Sequence, residues 1–318
     1  MKTKIYIDGS EGTTGLRINE RLEGRDDIEL LRIRPELRKD AAERQRMINA
    51  SDITFLCLPD AAAREAVSLA TGERVRIIDA STAHRTEPGW AYGFPELSAE
   101  FRERITQGKR VAVPGCHASG FMALVYPLVK EGLLPADYPV VSYSLTGYSG
   151  GGKKMIAAYE AEERPRELSS PRAYALTQQH KHLKEMKAIA GLAQEPLFTP
   201  IVADYYSGMA VFLPLAARLL SKEVTPDGLR SFYREYYAGQ RFLHVLTEAE
   251  TDALGGFLAG NARSGWDGME IVVSGSGDRL FAASRFDNLG KGASGAAIQC
   301  MNLMLGCPEE KGLVLHSA

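Results

Sequence analysis

Ile5-Tyr6-Ile7-Asp8-Gly9-Ser10-Glu11-Gly12-Thr13-Thr14-Gly15 decides how the rest of this chain is read. A short apolar strand ends at Asp8-Gly9, and a helical pattern opens at Thr13 with Leu16 and Leu22 among its apolar positions. The spacing is G-x-x-G-x-x-G, not the strict G-x-G-x-x-G fingerprint. Its glycines still permit a tight turn and a close approach of backbone amides to a pyrophosphate at a helix start. Such a loop can also be a plain turn, so its position in the chain matters. Strand-like runs at 28–33, 53–58, 75–79 and 111–113 alternate with helical runs at 40–49 and 60–70. That alternation implies right-handed crossovers and an α/β, Rossmann-like doubly wound parallel sheet. Gly9, Ser10, Gly12, Thr13, Thr14 and Gly15 are therefore cofactor-binding candidates, joined by Ser81 beyond the fourth strand.

The end of the second strand bears on which nucleotide is held. An NAD site usually places an acid there for the ribose 2′-hydroxyl. This chain has Arg32-Ile33-Arg34-Pro35-Glu36-Leu37-Arg38-Lys39 instead. Clustered guanidinium groups suit a 2′-phosphate, which favours NADP, with Arg32 and Arg34 as candidates. A solvated basic face is the alternative, and the sequence does not say which arginine meets the phosphate.

Composition bounds the rest. The 318 residues suffice for two ordinary domains; 25% are charged, 45% are hydrophobic and the net charge is −2. Lys and Arg are dispersed, and the arginines of 32–46 are interleaved with acids, so no nucleic-acid partner is expected. No apolar run is long enough to span a bilayer and no signal peptide is evident, so no membrane partner is expected. Four scattered cysteines without a C-x-x-C spacing predict a reducing cytoplasm and no metal site.

One of those cysteines stands apart. Val111-Ala112-Val113-Pro114-Gly115-Cys116-His117-Ala118-Ser119-Gly120 carries a strand through Pro-Gly into the first turn of a helix. A helix N-terminus bears unsatisfied N–H groups and about half a positive charge, which favours thiolate over thiol. Cys116 reads either as a nucleophile or as a small buried thiol. Beyond residue 139 the strand-like runs 140–146, 208–215, 269–274 and 280–286 are more widely spaced, as in an α+β domain on a mixed or antiparallel sheet. Between them lie Tyr148-Ser149-Gly150-Gly151-Gly152-Lys153-Lys154 and the histidines His180 and His182, with Glu185 three residues on. Ser149 and Lys153, with Arg85 earlier in the chain, are candidates for binding anionic substrate groups. The histidines could be exposed or ligate a metal, but no third ligand is apparent; beside a nucleophilic cysteine, proton transfer fits them better.

Pro114-Gly115-Cys116, His180-x-His182-x-x-Glu185, Tyr92-Gly93-Phe94-Pro95-Glu96-Leu97 and Asp287-Asn288-Leu289-Gly290-Lys291-Gly292-Ala293-Ser294-Gly295 occur in this order along the chain. Together they resemble the N-acetyl-gamma-glutamyl-phosphate reductase family, in its shorter form, of the aspartate-semialdehyde dehydrogenase-like group. Two positions depart from the family pattern: His117 stands where a tyrosine usually follows P-G-C, and Lys184 replaces the proline before the motif glutamate. The resemblance implies an NADP domain at 1–115 completed by a C-terminal helix at 288–318, and a catalytic and oligomerisation domain at 116–287. It places Asn288, Lys291 and Gly292 at the cofactor. It also implies a cysteine thioester at Cys116, an acid–base histidine at His180, and His182 and Glu185 near an acyl phosphate substrate. A homodimer or homotetramer is implied as well. The same residue types would serve another acyl phosphate, aspartyl or carrier-linked aminoadipyl.

Overall fold

A computed structural model of the chain describes residues 2–315. These form two compact units, one running to Pro114 and including Ala293–Leu313, the other comprising Gly115–Gly292 with Val314 and Leu315. The first contains β1 (Thr3–Asp8), α1 (Thr13–Glu23), β2 (Ile28–Leu31), α2 (Ala41–Ala50), β3 (Ile53–Leu56), α3 (Asp60–Leu69), β4 (Arg76–Asp79), β5 (Ala91–Tyr92), α4 (Ala99–Gln107) and β6 (Arg110–Ala112). The second contains α5 (Cys116–Lys130), β7 (Val141–Gly147), α6 (Gly152–Tyr159), β8 (Arg172–Ala173), α7 (Leu183–Ala190), β9 (Leu197–Ala203), β10 (Met209–Ala216), α8 (Pro226–Tyr236), β11 (Leu243–Val245), α9 (Glu248–Asp252), β12 (Met269–Ser276) and β13 (Arg279–Phe286). Helix α10 (Gly295–Leu305) belongs to the first unit again.

The first sheet is wholly parallel in the order β2-β1-β3-β4-β6-β5, with its reversal of direction between β1 and β3. Successive side chains of a strand point to opposite faces. Ile5, Ile7, Phe55 and Ile78 therefore pack with Ile18 and Leu22 of α1 and Met301 and Met304 of α10. Tyr6, Leu56 and Ile77 pack with Met47 and Ile48 of α2 and Ala63 and Ala66 of α3. Both faces are covered, which is why these strands read as apolar runs and not as alternations. The glycine-rich loop leaves β1 at the reversal, where open α/β sheets bind ligands.

Polar clamps hold α10 in this unit. Arg25 Nη1 donates to Asn302 Oδ1 at 2.6 Å, and Gln299 Nε2 donates to Glu96 Oε1 at 2.5 Å and Glu309 Oε1 at 2.7 Å. The C-terminal segment of the first unit is shorter than the expected 288–318. Residues 288–292 and Val314 group with the second unit, because the turn after β13 is bonded into that unit's own loops; residue 1 and residues 316–318 lie outside the described residues. Asp60 is the first residue of α3, after the N-cap Pro59, and its carboxylate accepts from the Thr82 amide at 3.0 Å.

The second sheet is mixed, ordered β11-β12-β13-β10-β7-β9-β8, with β7 parallel to β9 and β11 parallel to β12. The four expected strands lie within two residues of their anticipated bounds. Strand β9 was not anticipated, because Pro200 interrupts its pattern; the short β5, β8 and β11 carry too few residues to show a period.

Helix α5 is apolar on nearly all sides, and its residues from His117 to Val125 are buried. Pro127 lies inside it and lacks an N–H, so the Ala123 carbonyl loses its helical partner. Tyr237 supplies the replacement, its hydroxyl donating to that carbonyl at 2.8 Å. Gly120 lets the helix lie against the sheet: a Cβ there would stand 2.5 Å from Val211 Cγ2, 2.6 Å from Ser284 Oγ and 2.8 Å from Phe286 Cε1. Gly120→Val should destabilise the fold by about 2 kcal/mol. Overpacking costs roughly 1–3 kcal/mol and the gain in helix propensity offsets only about 0.5. Urea unfolding measures it; an unchanged midpoint would show that the helix has room at this point.

Candidate active site

Cys116 is the first residue of α5, and its N-cap, Gly115, has no side chain to accept from the first-turn amides. The positive end of a fifteen-residue helix thus lies at the sulfur. Glu185, buried in the first turn of α7, accepts from the Gly115 amide at 3.3 Å and so fixes the turn that delivers the thiol. Gly292 borders the same spot: a Cβ on it would meet Cys116 Cβ at 3.0 Å and the Asp287 carbonyl at 3.2 Å. The missing side chain keeps the thiol's surroundings open. The other thiols differ in setting. Cys57 follows β3, and burial, with Asp79 and Asp8 nearby, pushes its thiol up to about 12; none of the four cysteines is in a disulfide.

The histidines form a cluster. The ring of His180 lies 4.6 Å from that of His182 and 5.4 Å from that of His117, centroid to centroid. Nδ1 of His180 accepts from the His182 amide at 3.2 Å, which leaves the proton of its neutral ring on Nε2. His117, absent from the sequence-derived set, is the buried hub. Its Nδ1 pairs with Ser144 Oγ at 2.6 Å, its Nε2 with Tyr174 Oη at 2.7 Å, and Phe198 packs 5.3 Å away. Burial first, then the charges of His180 and Lys181, lowers its pKa from 6.5 to about 3, so the ring is neutral at physiological pH. Among the described residues no group of three or more His, Cys, Asp and Glu side chains is placed to hold a metal ion; His117 has both nitrogens occupied.

The remaining candidates of this unit are spread more widely. Ser149 is buried and accepts from Asn288 Nδ2 at 3.0 Å, while Asn288 Oδ1 accepts from the Gly208 amide at 2.8 Å. Asn288 therefore ties the turn after β13 to two loops. Lys291 is buried with its Nζ 5.2 Å from the centre of the Phe242 ring. Lys153 is exposed near the start of α6.

In the first unit the glycine-rich loop suits a pyrophosphate. Gly9 has φ +86°, and a Cβ on it would strike the Cys57 carbonyl; one on Gly15 would strike the Gly9 carbonyl. The loop is thus closed in on itself and bare of side chains at these points. It leads into α1, whose N-cap Gly12 makes no side-chain cap, with Ser10, Thr13 and Thr14 half-buried around it. Of the basic cluster, Arg32 pairs with Glu23 at 2.7 Å, at the far end of α1, and Arg34 is exposed. The guanidinium that reaches the loop is Arg38, 3.1 Å from Glu11. Ser81 is held by Asp79, its Oγ donating at 2.7 Å, and His84 shares that carboxylate at 2.6 Å. Arg85 is buried and donates through Nε to the Val113 carbonyl at 2.9 Å.

Residues 4–106 match the family model described as the semialdehyde dehydrogenase NAD binding domain, and residues 116–288 match its dimerisation domain. A relative from Nostoc sp., named N-acetyl-gamma-glutamyl-phosphate reductase 2, is 45% identical over 98% of this chain and 99% of its own. One of the same name from Pseudomonas putida is 44% identical over 97% of this chain and 98% of its own. The chain belongs to the N-acetyl-gamma-glutamyl-phosphate reductase family. Among solved structures, aspartate semialdehyde dehydrogenase from Francisella tularensis superposes with a TM-score of 0.71 at 15% identity, over 95% of this chain and 100% of that one, which shows a shared fold.

Within this reductase-family chain the nucleotide-binding match covers the glycine-rich loop, so a nicotinamide cofactor is part of its chemistry. The other match contains Cys116, both motif histidines and Glu185. Ser144 and Tyr174 escaped the sequence reading. A lone serine in a strand and a tyrosine just after the two-residue β8 give no local signal; only His117, as a departure from the family's tyrosine, pointed to this place.

His117 should leave a mark on stability. Its folded pKa is depressed, so the unfolded chain binds the extra proton and the stability is present above pH 6.5 and lost as pH falls toward 3. Between pH 7.5 and pH 5 the wild type should lose about 2 kcal/mol more than His117→Gln. Urea titrations at the two pH values measure this; equal losses would mean that the folded protein admits a charged ring.

Proposed function

We propose that this protein is an NADPH-dependent reductase that converts N-acetylglutamyl 5-phosphate to the 5-semialdehyde, in arginine biosynthesis. The observation that carries the reading is the thiol of Cys116 at the open start of α5, beside Gly292 and next to a histidine cluster. The near full-length identity to reductases of that name supports the substrate.

The roles follow from the residues. Cys116 attacks the acyl carbon as a thiolate, the S–C bond forms, and phosphate leaves with the electron pair of its C–O bond. Amides at the start of α5 offer hydrogen bonds to the oxygen that becomes charged. His180, whose neutral ring carries its proton on Nε2, would donate to the carbonyl oxygen of the thioester and of the adduct that follows. Glu185 keeps the Gly115 turn in place. Gly9, Gly12 and Gly15, with the start of α1, would hold the pyrophosphate, and Arg38, with Arg34, would meet a 2′-phosphate. When bound, the nicotinamide supplies hydride to the acyl carbon. The match to a dimerisation domain supports a homodimer as the smallest working assembly, and four cysteines outside any disulfide suit a reducing cytoplasm.

The deciding experiment is phosphate-dependent reduction of NADP by a panel of semialdehydes. N-acetylglutamate semialdehyde should be turned over best; preference for aspartate semialdehyde or an aminoadipate semialdehyde would overturn the substrate. NADPH should exceed NADH in kcat/KM by about 30- to 150-fold, since a charge-assisted contact to phosphate is worth roughly 2–3 kcal/mol. Arg38→Ala should erase most of that ratio, and an undiminished ratio would remove Arg38 from the site. In Cys116→Ser turnover should vanish. In His180→Asn it should fall by about 10²–10⁴-fold while Cys116 stays alkylatable by iodoacetamide near neutral pH. Loss of alkylation together with turnover would mean that His180 activates the thiol directly.

A further inference from the structure

Ser144, His117 and Tyr174 form a buried chain of hydrogen bonds whose proton order can be deduced. Ser144 is fully buried, and its hydroxyl bonds only to His117 Nδ1 among the described residues. If Tyr174 donated to His117, Nδ1–H would donate to Ser144, and the serine proton would be buried without an acceptor, at a cost of about 1–3 kcal/mol. The opposite order satisfies every buried group: Ser144 donates to Nδ1, and Nε2–H donates to the Tyr174 oxygen. Tyr174 then keeps a phenolic proton that nothing among the described residues accepts.

Resting on the reading of Cys116 as an acyl-accepting nucleophile, we propose that Tyr174 donates this proton in a hydrogen bond to the oxygen of the tetrahedral adduct on Cys116, with His117 as the positioning residue that turns it there. Three observations support this. The Tyr174 hydroxyl is held at 2.7 Å by Nε2 of His117, the residue that follows Cys116 in the first turn of α5. Burial first, then the charge of a Cys116 thiolate, raises the pKa of the phenol, so it remains protonated. The backbone is also set for this aim: the Tyr174 amide donates to the Pro200 carbonyl at 3.0 Å, and the next residue, Ala175, is held at φ +51°. A non-glycine residue in that region costs about 1 kcal/mol or more, which the surrounding structure must offset. Chemically, the S–C bond forms, the carbonyl π pair moves onto oxygen, and that pair re-forms C=O as the leaving group departs. Tyr174 retains its proton throughout.

The test uses the burst of p-nitrophenolate released when Cys116 is acylated by p-nitrophenyl acetate, alongside the phosphate-dependent NADP assay. Tyr174→Phe should slow the burst and kcat by about 10²-fold, as for loss of an oxyanion donor, with KM changed less than threefold. Alkylation of Cys116 by iodoacetamide, which forms no oxyanion, should be unaffected. His117→Leu should show the same loss, His117→Gln should restore most of it through its amide N–H, and Tyr174→Phe/His117→Leu should be no slower than Tyr174→Phe alone. Additive losses, or a burst in Tyr174→Phe within threefold of wild type, would overturn the proposal. Should His117→Leu fail to fold by circular dichroism, Tyr174→Phe and Ser144→Ala decide the matter: a normal burst in the first overturns the proposal, and loss in both upholds it. A wild type that shows the burst but no turnover of N-acetylglutamate semialdehyde would refute the substrate and leave this inference standing.

Discussion

The seat of α5 on the second sheet is the constraint on which the site depends. A thiol at the first residue of a helix is placed only as well as the helix itself, and nearly all of α5 from His117 to Leu128 is buried. Gly120 sets its distance from Val211, Ser284 and Phe286, and Tyr237 repairs the break that Pro127 makes. With the helix so held, one more bond, from the Gly115 amide to Glu185, determines the approach of the chain to Cys116. A carboxylate in that position leaves the later amides of the first turn for the chemistry.

The histidine cluster shows how burial selects roles among like residues. His117 lies between two hydroxyls and is neutral; in water the same ring would be partly charged near pH 6.5. A charged His117 would repel both His180 and Lys181. Its neutrality therefore places no charge beside the ring of His180. His180 in turn is oriented by the backbone of His182, so the i, i+2 spacing has a mechanical sense: the second histidine's amide holds the first one's ring.

In the nucleotide-binding unit the decisive contacts are between backbones. Gly9 and Gly15 are needed because carbonyls of Cys57 and Gly9 occupy the space of a Cβ, which draws the loop tight across the reversal between β1 and β3. Buried Arg44 bonds Asp8 and Glu65 at 3.0 and 2.9 Å and pins the end of β1 from the other side. A loop held this firmly offers its amides without having to be ordered by the ligand.

Much of this was legible in the sequence because it depends on local periodicity and on residues with one distinctive use. The apolar runs named the parallel sheet, the G-x-x-G-x-x-G spacing named its loop, and Pro-Gly-Cys before a helical pattern named the thiol. The wider strands of the second unit were found to within two residues, except where Pro200 hid β9. What the sequence could not hold is pairing across distance. Arg32 and Arg38 are equivalent in a string of basic residues, yet one ends at Glu23 and the other at Glu11, because the turn after β2 directs them to opposite ends of α1. Asn288 reads as one more residue of a glycine-rich motif, and only the fold shows its side chain joining Ser149 to the Gly208 amide. Ser144 and Tyr174 are thirty residues apart and unremarkable until β7 and the end of β8 bring both to His117. Residue type and period are properties of the chain; which donor meets which acceptor is settled only when the sheet closes around them.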